Sequence, residues 1–421
     1  MFRFLHAADI HLDSPLRGLE QYEGAPVDEI RTATRRALVN LVDLALQREV
    51  DFVVIAGDLY DGDWKDHNTG LFFVSQIGRL REASIPVVMI SGNHDAANRM
   101  TKALQLPDHV ELLSHRKAST ARNKQLRELG VAIHGRSFAR SAETDNMARD
   151  YPPRIDGMFN IGLLHTSLTG AEGHEPYAPC SIDELRQKQY DYWALGHVHT
   201  REVKCEDPPI VFCGNVQGRH IRETGAKGCY LVSVDQRGGV ELEFQPLDVF
   251  RWDLCQVAAD DVESPEQVLD RFKTALADRM AMHDGLPLAV RVVVTGRTNA
   301  HPQLAADPLN WSNQIRAAAI EQAGGRVWIE KVKLRTSTVR GLDREAMADG
   351  PVGELLRYMT ELRGDDRQLA ELAEALGDLR RKLPDDLLRG EEALDFSDPD
   401  CLRQWLDEVQ PLVTSRLMEG V

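Results

Sequence analysis

The chain has 421 residues, 43% of them hydrophobic and 28% charged, enough to bury two or three cores and too ordinary in composition for a fibre or a wholly disordered protein. Its formal net charge of -16 excludes a protein that coats nucleic acid by bulk electrostatics, and more than half of that acidic excess lies in the last fifth, 340–421. Cys180, Cys205, Cys213, Cys229, Cys255 and Cys401 form no CxxC pair, and no stretch holds the ~18 apolar residues of a membrane span, so a cytoplasmic protein with reduced thiols and no membrane partner is expected.

Along 1–248, apolar runs at 2–8, 52–56, 87–90, 159–164 and 192–195 alternate with helical-looking segments, as in a layered α/β domain. Ala33, Ala37, Leu38, Leu41 and Leu44 recur at helical spacing within 31–48, which predicts a helix between the first two strands. A further strand is read at 210–213, before a Gly-rich stretch reaching Gly228. Over 249–338 the pattern becomes strand, helix, strand, helix, strand, at 250–257, 266–280, 288–295, 312–322 and 326–335. This describes a small α+β domain. A linker through Gly350 and Pro351 leads into 339–421, a helical region where Leu355, Leu356, Met359 and Leu362, then Leu369, Leu372, Leu376 and Leu379, are spaced by threes and fours.

The ends of the first-domain strands carry the chemistry. In order they are Asp9-Ile10-His11, Gly57-Asp58-Leu59-Tyr60-Asp61, Gly92-Asn93-His94-Asp95, His165 and His197-Val198-His199. Each block has an ordinary reading: Gly-Asp and Gly-Asn end strands in turns, and His165 can be a satisfied core residue. His197 and His199, if extended, face one side, which suits a metal and equally two surface histidines. Sites form beyond the carboxyl ends of strands in open α/β sheets, so the blocks can converge. Together, two aspartates, one asparagine and four histidines make a mixed oxygen and nitrogen set suited to manganese, iron or zinc rather than magnesium or calcium. Seven ligands suit two ions bridged by a carboxylate, the arrangement that hydrolyses phosphate esters.

The series Asp-x-His, Gly-Asp-x-x-Asp, Gly-Asn-His-Asp, His and Gly-His-x-His resembles the calcineurin-like metallophosphoesterases, with all five blocks in that family's order. The resemblance implies a layered β-sandwich flanked by helices and two divalent ions, manganese first among them. It places Asp9, His11 and His199 on one ion, Asn93, His165 and His197 on the other, and Asp58 between them. His94 becomes the non-ligand that stabilises the pentacoordinate phosphoryl group or protonates the leaving oxygen, with Asp61 orienting it.

The plan of catalytic region, α+β cap and helical tail is similar to that of SbcD nuclease subunits. The stretches 11–18 and 214–228 resemble the YhaO-type branch of bacterial DNA-repair exonucleases. This resemblance implies an exonuclease acting on DNA, a homodimer, and an SMC-like (SbcC-type) ATPase docked on the C-terminal helices. Arg17, Arg219, Arg222 and Lys227 would meet DNA phosphates as positioning contacts. Asp13 departs from SbcD, where glycine follows His-Leu, and Asp61 from the eukaryotic repair nuclease, which has histidine there. Two other functions stay open: a small-molecule or nucleotide phosphodiesterase, with less need of a cap and tail, and a scaffold subunit of weak activity, against which the intact ligand set speaks.

Overall fold

A computed structural model describes residues 1–14, 26–61, 67–97, 106–168, 177–339 and 350–383, together with 396, 398–403, 405, 406, 409, 410 and 413. Arg17 and most of the linker before Gly350 lie outside the described residues.

The apolar runs become strands. The strands β1 (Phe2–Ala7), β2 (Phe52–Ala56), β3 (Val87–Ile90) and β4 (Val110–Leu112) pair in parallel, each with the next. A second sheet takes β5 (Ser119–Thr120), β6 (Val131–Gly135), β7 (Phe159–His165), β8 (Tyr192–Gly196), β9 (Glu202–Glu206) and β10 (Pro209–Phe212), in the order β5-β6-β7-β8-β10-β9. The chain then returns to the first sheet through β11 (Gly228–Val234), antiparallel to β1, and β12 (Val240–Pro246).

Strands buried on both faces read as continuous apolar runs, and period two sorts their side chains. Phe4, Phe52, Val54, Val88 and Ile90 enter the core between the sheets with Ile161, Leu163, Tyr192 and Val211. Their neighbours Leu5, Ala7, Val53, Ile55, Val87 and Met89 face the other way, into a core shared with Ala37, Leu38, Leu41 and Ala45. Those four lie on α1 (Val27–Gln47), the helix expected from the spacing in 31–48, and α2 (His67–Glu82) adds Phe73 and Ile77 to the same core. Shorter helices follow: α3 (Asn93–Ala97), α4 (Lys124–Glu128) and α5 (Ile182–Gln187), the last started by a capping box of Ser181 and Glu184. The sandwich flanked by helices is the fold that the sequence implied.

The chain divides into two compact units, one of 1–254, 280–290 and 326–330, the other of 255–279, 291–325 and 331–421. A three-stranded sheet runs β13 (Arg251–Ala258), β14 (Leu288–Arg297) and β15 (Val327–Ser337) in that order. Its helices are α6 (Pro265–Met282), which buries Val268, Phe272 and Leu276, then α7 (His301–Ala306) and α8 (Pro308–Ala323). Helices α9 (Pro351–Gly364), α10 (Asp366–Ala375) and α11 (Gly377–Lys382) follow. Leu362 and Leu369 are buried with Leu402 there, and Leu372 and Leu376 pack against them. No described helix is long and apolar enough to cross a membrane.

Candidate metal centre

The ends of the parallel strands deliver all five blocks to one place. Asp9 and His11 follow β1, Asp58 follows β2, Asn93 opens α3, His165 ends β7, and His197 and His199 follow β8. The backbone leaves the sheets sharply: φ is +49° at Asp9, +45° at His11, +50° at Asp58 and +95° at His197. Side chains seldom adopt that region, at a cost of roughly 1–3 kcal/mol each, and it persists only where surroundings enforce it. Here Asp9 N donates to Gly57 O at 3.0 Å, His11 N to Asp58 O at 3.1 Å and Leu12 N to Leu59 O at 2.9 Å, joining the first two strand ends. Asp95 ties the second to the third, accepting from Leu59 N, Tyr60 N and Gly92 N. Burial, helped by the charge of Asp58, pushes the Asp95 carboxyl up to about 7.

Two trios of ligand atoms result. Asp9, His11 and His199 each offer one atom within 4.8 Å of the others, and so do Asp58, His165 and His197. In the first, His11 Nε2 lies 3.1 Å from His199 Nε2, which is 4.0 Å from Asp9 Oδ1. In the second, His165 Nε2 is 3.3 Å from Asp58 Oδ2 and 2.9 Å from Asn93 Oδ1, and His197 Nδ1 is 3.2 Å from the same Asn93 oxygen. Asp58 Oδ2 also stands 3.9 Å from His11 Nε2. One carboxylate oxygen thus reaches both trios, the position of a bridge. Asp9 is held by the backbone N–H of His197 at 3.0 and 3.1 Å.

This donor set fits divalent cations. Two imidazole nitrogens facing each other repel when both carry protons or both present lone pairs, and a cation accepting both lone pairs removes the conflict. Asp9, His11, Asp58, Asn93 and His165 are all buried, so the carboxylates need a positive partner. When bound, two such ions supply Lewis acidity at the phosphoryl oxygens and a hydrolytic water at neutral pH.

His165 is packed from two sides by glycine. A Cβ on Gly92 would stand 2.3 Å from Asp58 Oδ1 and 2.7 Å from His165 Cε1, and one on Gly196 would stand 2.1 Å from Ala56 O and 2.9 Å from His165 Nδ1. Ala56 O accepts from His165 Nδ1 at 2.9 Å, which turns Nε2 toward Asp58 and Asn93. The glycines before Asn93 and His197 are therefore a requirement of space.

The electrostatics follow the same division. Burial opposes ionisation of Asp58, but the neighbouring imidazoles, His165 first, hold its carboxyl well below the usual range. Burial keeps the His11 ring neutral, reinforced by the charge of Arg219, and a neutral ring is the form that ligates. At Asp9 burial wins and raises the carboxyl, against the pull of His199 and His165.

His94 stands apart from the trios. Its Nδ1 lies 2.8 Å from Asp61 Oδ1, and its ring is 39% exposed, while its backbone N–H donates to Asp58 Oδ1 at 3.0 Å. Burial would lower the His94 pKa, but the hydrogen bond to Asp61 and the charge of Asp58 raise it overall. Asp61 shows the complement: burial pushes it up, and hydrogen bonds from His94 and from Ser14, at 2.5 Å, bring it down to about 2. His11, Asp61 and His94 also lie within 4.8 Å of one another, yet the Asp61 oxygens are already engaged by His94 and Ser14.

The expected DNA contacts fall differently. Lys227 is 8% exposed, and its Nζ donates to His199 O at 3.0 Å. There the ammonium lies against the backbone of a candidate ligand. Arg219 is mostly buried beside Asp61 and Glu223, Arg222 is exposed, and Arg17 lies outside the described residues. Asp13 has φ +56°, a conformation that glycine also adopts. Its carboxylate is occupied by Arg35, at 2.5 and 2.7 Å, and by Thr69 Oγ1 at 2.6 Å, so this departure ties α1 to α2 and leaves the ligands untouched.

Sequence reading missed Glu223. It is buried and accepts from His199 Nδ1 at 2.6 Å, which leaves Nε2 for a cation. Such a partner fixes the tautomer of a ligand histidine. The available signal was a lone carboxylate within the basic run Arg219-His220-Ile221-Arg222-Glu223.

The calcineurin-like phosphoesterase family profile matches residues 2–201, and the middle-domain profile of the metallophosphoesterase YhaO matches 252–337. A Bacillus subtilis (strain 168) relative described as an uncharacterized metallophosphoesterase YhaO is 35% identical over 297 residues, 70% of this chain and 71% of its own. Among solved structures, the crystal structure of TT1561 of Thermus thermophilus is 13% identical, covering 58% of this chain and 98% of its own, with a TM-score of 0.34. An identity of 35% over 297 residues makes this chain a member of the calcineurin-like metallophosphoesterase family, metal-dependent hydrolases of phosphoesters that bind two divalent ions.

Proposed function

We propose that the chain is a two-metal phosphodiesterase that cleaves DNA, an exonuclease of the SbcD type acting in repair, with manganese as its ions. The observation that carries this reading is the pair His94 and Asp61, 2.8 Å apart at the exposed side of a largely buried site. A sugar oxygen leaves a phosphodiester as a strongly basic alkoxide and needs a proton as it departs, whereas an aryl oxide does not. Asp61 accepts from His94 Nδ1 and stabilises the imidazolium, so His94 Nε2 carries the transferable proton. The hydrogen bond to Asp61 and the charge of Asp58 raise the His94 pKa, which favours the protonated form. Four imidazoles among the seven ligands favour manganese over magnesium.

The same reading includes a homodimer and an SMC-like ATPase of the SbcC type docked on the helices of 339–421. Tyr358 and Leu379 are exposed there, and an acidic tail suits a protein partner better than DNA. The test uses linear and circular DNA and bis-p-nitrophenyl phosphate, each with Mn²⁺, Mg²⁺ or EDTA. Linear DNA should be cut with Mn²⁺ and circular DNA spared. His94→Gln should lose roughly 100-fold or more on DNA and far less on the aryl diester. Hydrolysis of the aryl diester alone would instead support a small-molecule or nucleotide phosphodiesterase, and no hydrolysis at all a scaffold. Deletion of 352–421 should abolish ATPase pull-down and leave aryl diester hydrolysis intact.

A further inference from the structure

Arg219 places a guanidinium between two carboxylates that serve different halves of the site. Its NH2 donates to Glu223 Oε1 at 3.1 Å, and its NH1 stands 3.5 Å from Asp61 Oδ2. Glu223 holds the ligand side, bonded to His199 Nδ1 at 2.6 Å. Asp61 holds the acid side, 2.8 Å from His94 Nδ1. Glu223 cannot swing away from His199, because its Oε2 accepts from Arg219 N at 2.7 Å and Asn215 Nδ2 at 2.8 Å.

The Arg219 side chain is 12% exposed, and its Nε is buried without a hydrogen-bond partner among the described residues. A guanidinium facing inward in this way is poorly placed for a polymer backbone passing outside. It is well placed to hold two anions, and a planar fork can meet two carboxylates at once where an ammonium is a single point charge. Removing the guanidinium takes away the cation that the two carboxylates share, and with it this link between Glu223 and Asp61. His199, Glu223, Arg219, Asp61 and His94 form one chain of contacts, none longer than 3.5 Å.

We propose that Arg219 is a positioning residue that couples the orientation of the acid His94 to that of the metal ligand His199, with Glu223 and Asp61 as its two arms. The proposal rests on the reading of His94 as the acid. A perturbation on the ligand side then reaches proton transfer on the other side through the guanidinium.

The experiment uses the full-length chain and its Glu223→Gln, Arg219→Lys, Arg219→Met, Arg219→Lys/Glu223→Gln and His94→Gln variants. Mn²⁺ affinity is measured by calorimetry. At saturating Mn²⁺, hydrolysis of a dithymidine dinucleotide is compared with that of bis-p-nitrophenyl phosphate. The ratio of the two rates reports acid assistance and cancels differences in the folded fraction. Glu223→Gln should weaken one ion at least tenfold and lower the ratio about tenfold. Both single Arg219 variants should lower the ratio to a similar extent, and adding Glu223→Gln to Arg219→Lys should lower it no further. In metal-free protein, the His94 ring signals in NMR should shift on Glu223→Gln in the parent and stay put in the Arg219→Lys background. A parental ratio in both Arg219 variants, or an equal Glu223→Gln effect with and without Arg219, overturns the coupling. Should Arg219→Met not fold, Arg219→Lys decides. A ratio unchanged by His94→Gln defeats the acid reading itself, a result distinct from a normal ratio in the Arg219 variants alone.

Discussion

Adding one methyl group at Gly196 should cripple the site without touching a ligand. The new Cβ would lie 2.1 Å from Ala56 O, whereas ordinary contact begins at 3.4 Å, so the end of β8 must retreat from β2 by more than 1 Å. Backbone on both sides cannot give as a flexible side chain would, and overpacking of this kind costs roughly 1–3 kcal/mol. The same retreat disturbs the 2.9 Å bond from His165 Nδ1 to Ala56 O, and a buried polar group left unpaired costs about 1–3 kcal/mol more. The combined loss is a large share of the ~5–15 kcal/mol that keeps a domain folded. Gly196→Ala should therefore show a lower denaturation midpoint in EDTA and Mn²⁺ binding weakened roughly 10–100-fold in calorimetry. Gly78→Ala is the control: a Cβ there meets nothing within 4 Å, and the change within α2 should be neutral or stabilising by up to ~1 kcal/mol. A Gly196→Ala chain with parental midpoint and parental Mn²⁺ binding would refute the close-packing argument.

His197→Ala and His199→Ala should each weaken a different one of two Mn²⁺ sites, because His199 lies with Asp9 and His11, and His197 with Asp58 and His165; loss of the same ion in both would contradict the division. Asp13→Gly should cost about 1–2 kcal/mol, the lost contacts to Arg35 and Thr69 being offset in part by relief at φ +56°, with calorimetric Mn²⁺ affinity unchanged. His6 is buried, and desolvation lowers its pKa from 6.5 to about 3, despite a hydrogen bond to Leu195 that raises it. Since the unfolded ring takes its proton first, the stabilisation is present above about pH 6.5 and is lost as pH falls toward 3. Denaturant titrations in EDTA at pH 7.5 and pH 5 should therefore show His6→Gln losing about 2 kcal/mol less than the parent; equal losses would sink the assignment.

The strand ends were legible because a run such as Phe52-Val53-Val54-Ile55-Ala56 is apolar throughout and stops at Gly57-Asp58, so the residue type and its place on the sheet are read together. Their convergence is a property of the parallel pairing that sets β7 beside β8, with His165 opposite Gly196, and pairing partners are remote in sequence. Glu223 went unread for the same reason: its role exists only once 214–228 folds back on His199. The burial of Lys227 could not be read either: a lysine among glycines has the composition of a solvated loop, and its contacts to Asp248 and the His199 carbonyl are invisible to composition. In β12 the alternation Val240, Leu242, Phe244 was available, but a half-exposed edge strand has too weak a pattern to stand out beside the buried runs.

The left-handed backbone at Asp9, His11, Asp58 and His197 gives any decay of this site a direction. Selection for hydrolysis holds bulky side chains where the main chain favours glycine. A lineage released from that selection would gain stability by accepting glycine at these four positions and would gain nothing of the kind at Asn93 or His165, where no such φ occurs. Glycine at 9, 11, 58 or 197 in a relative would thus mark a former enzyme kept for another purpose.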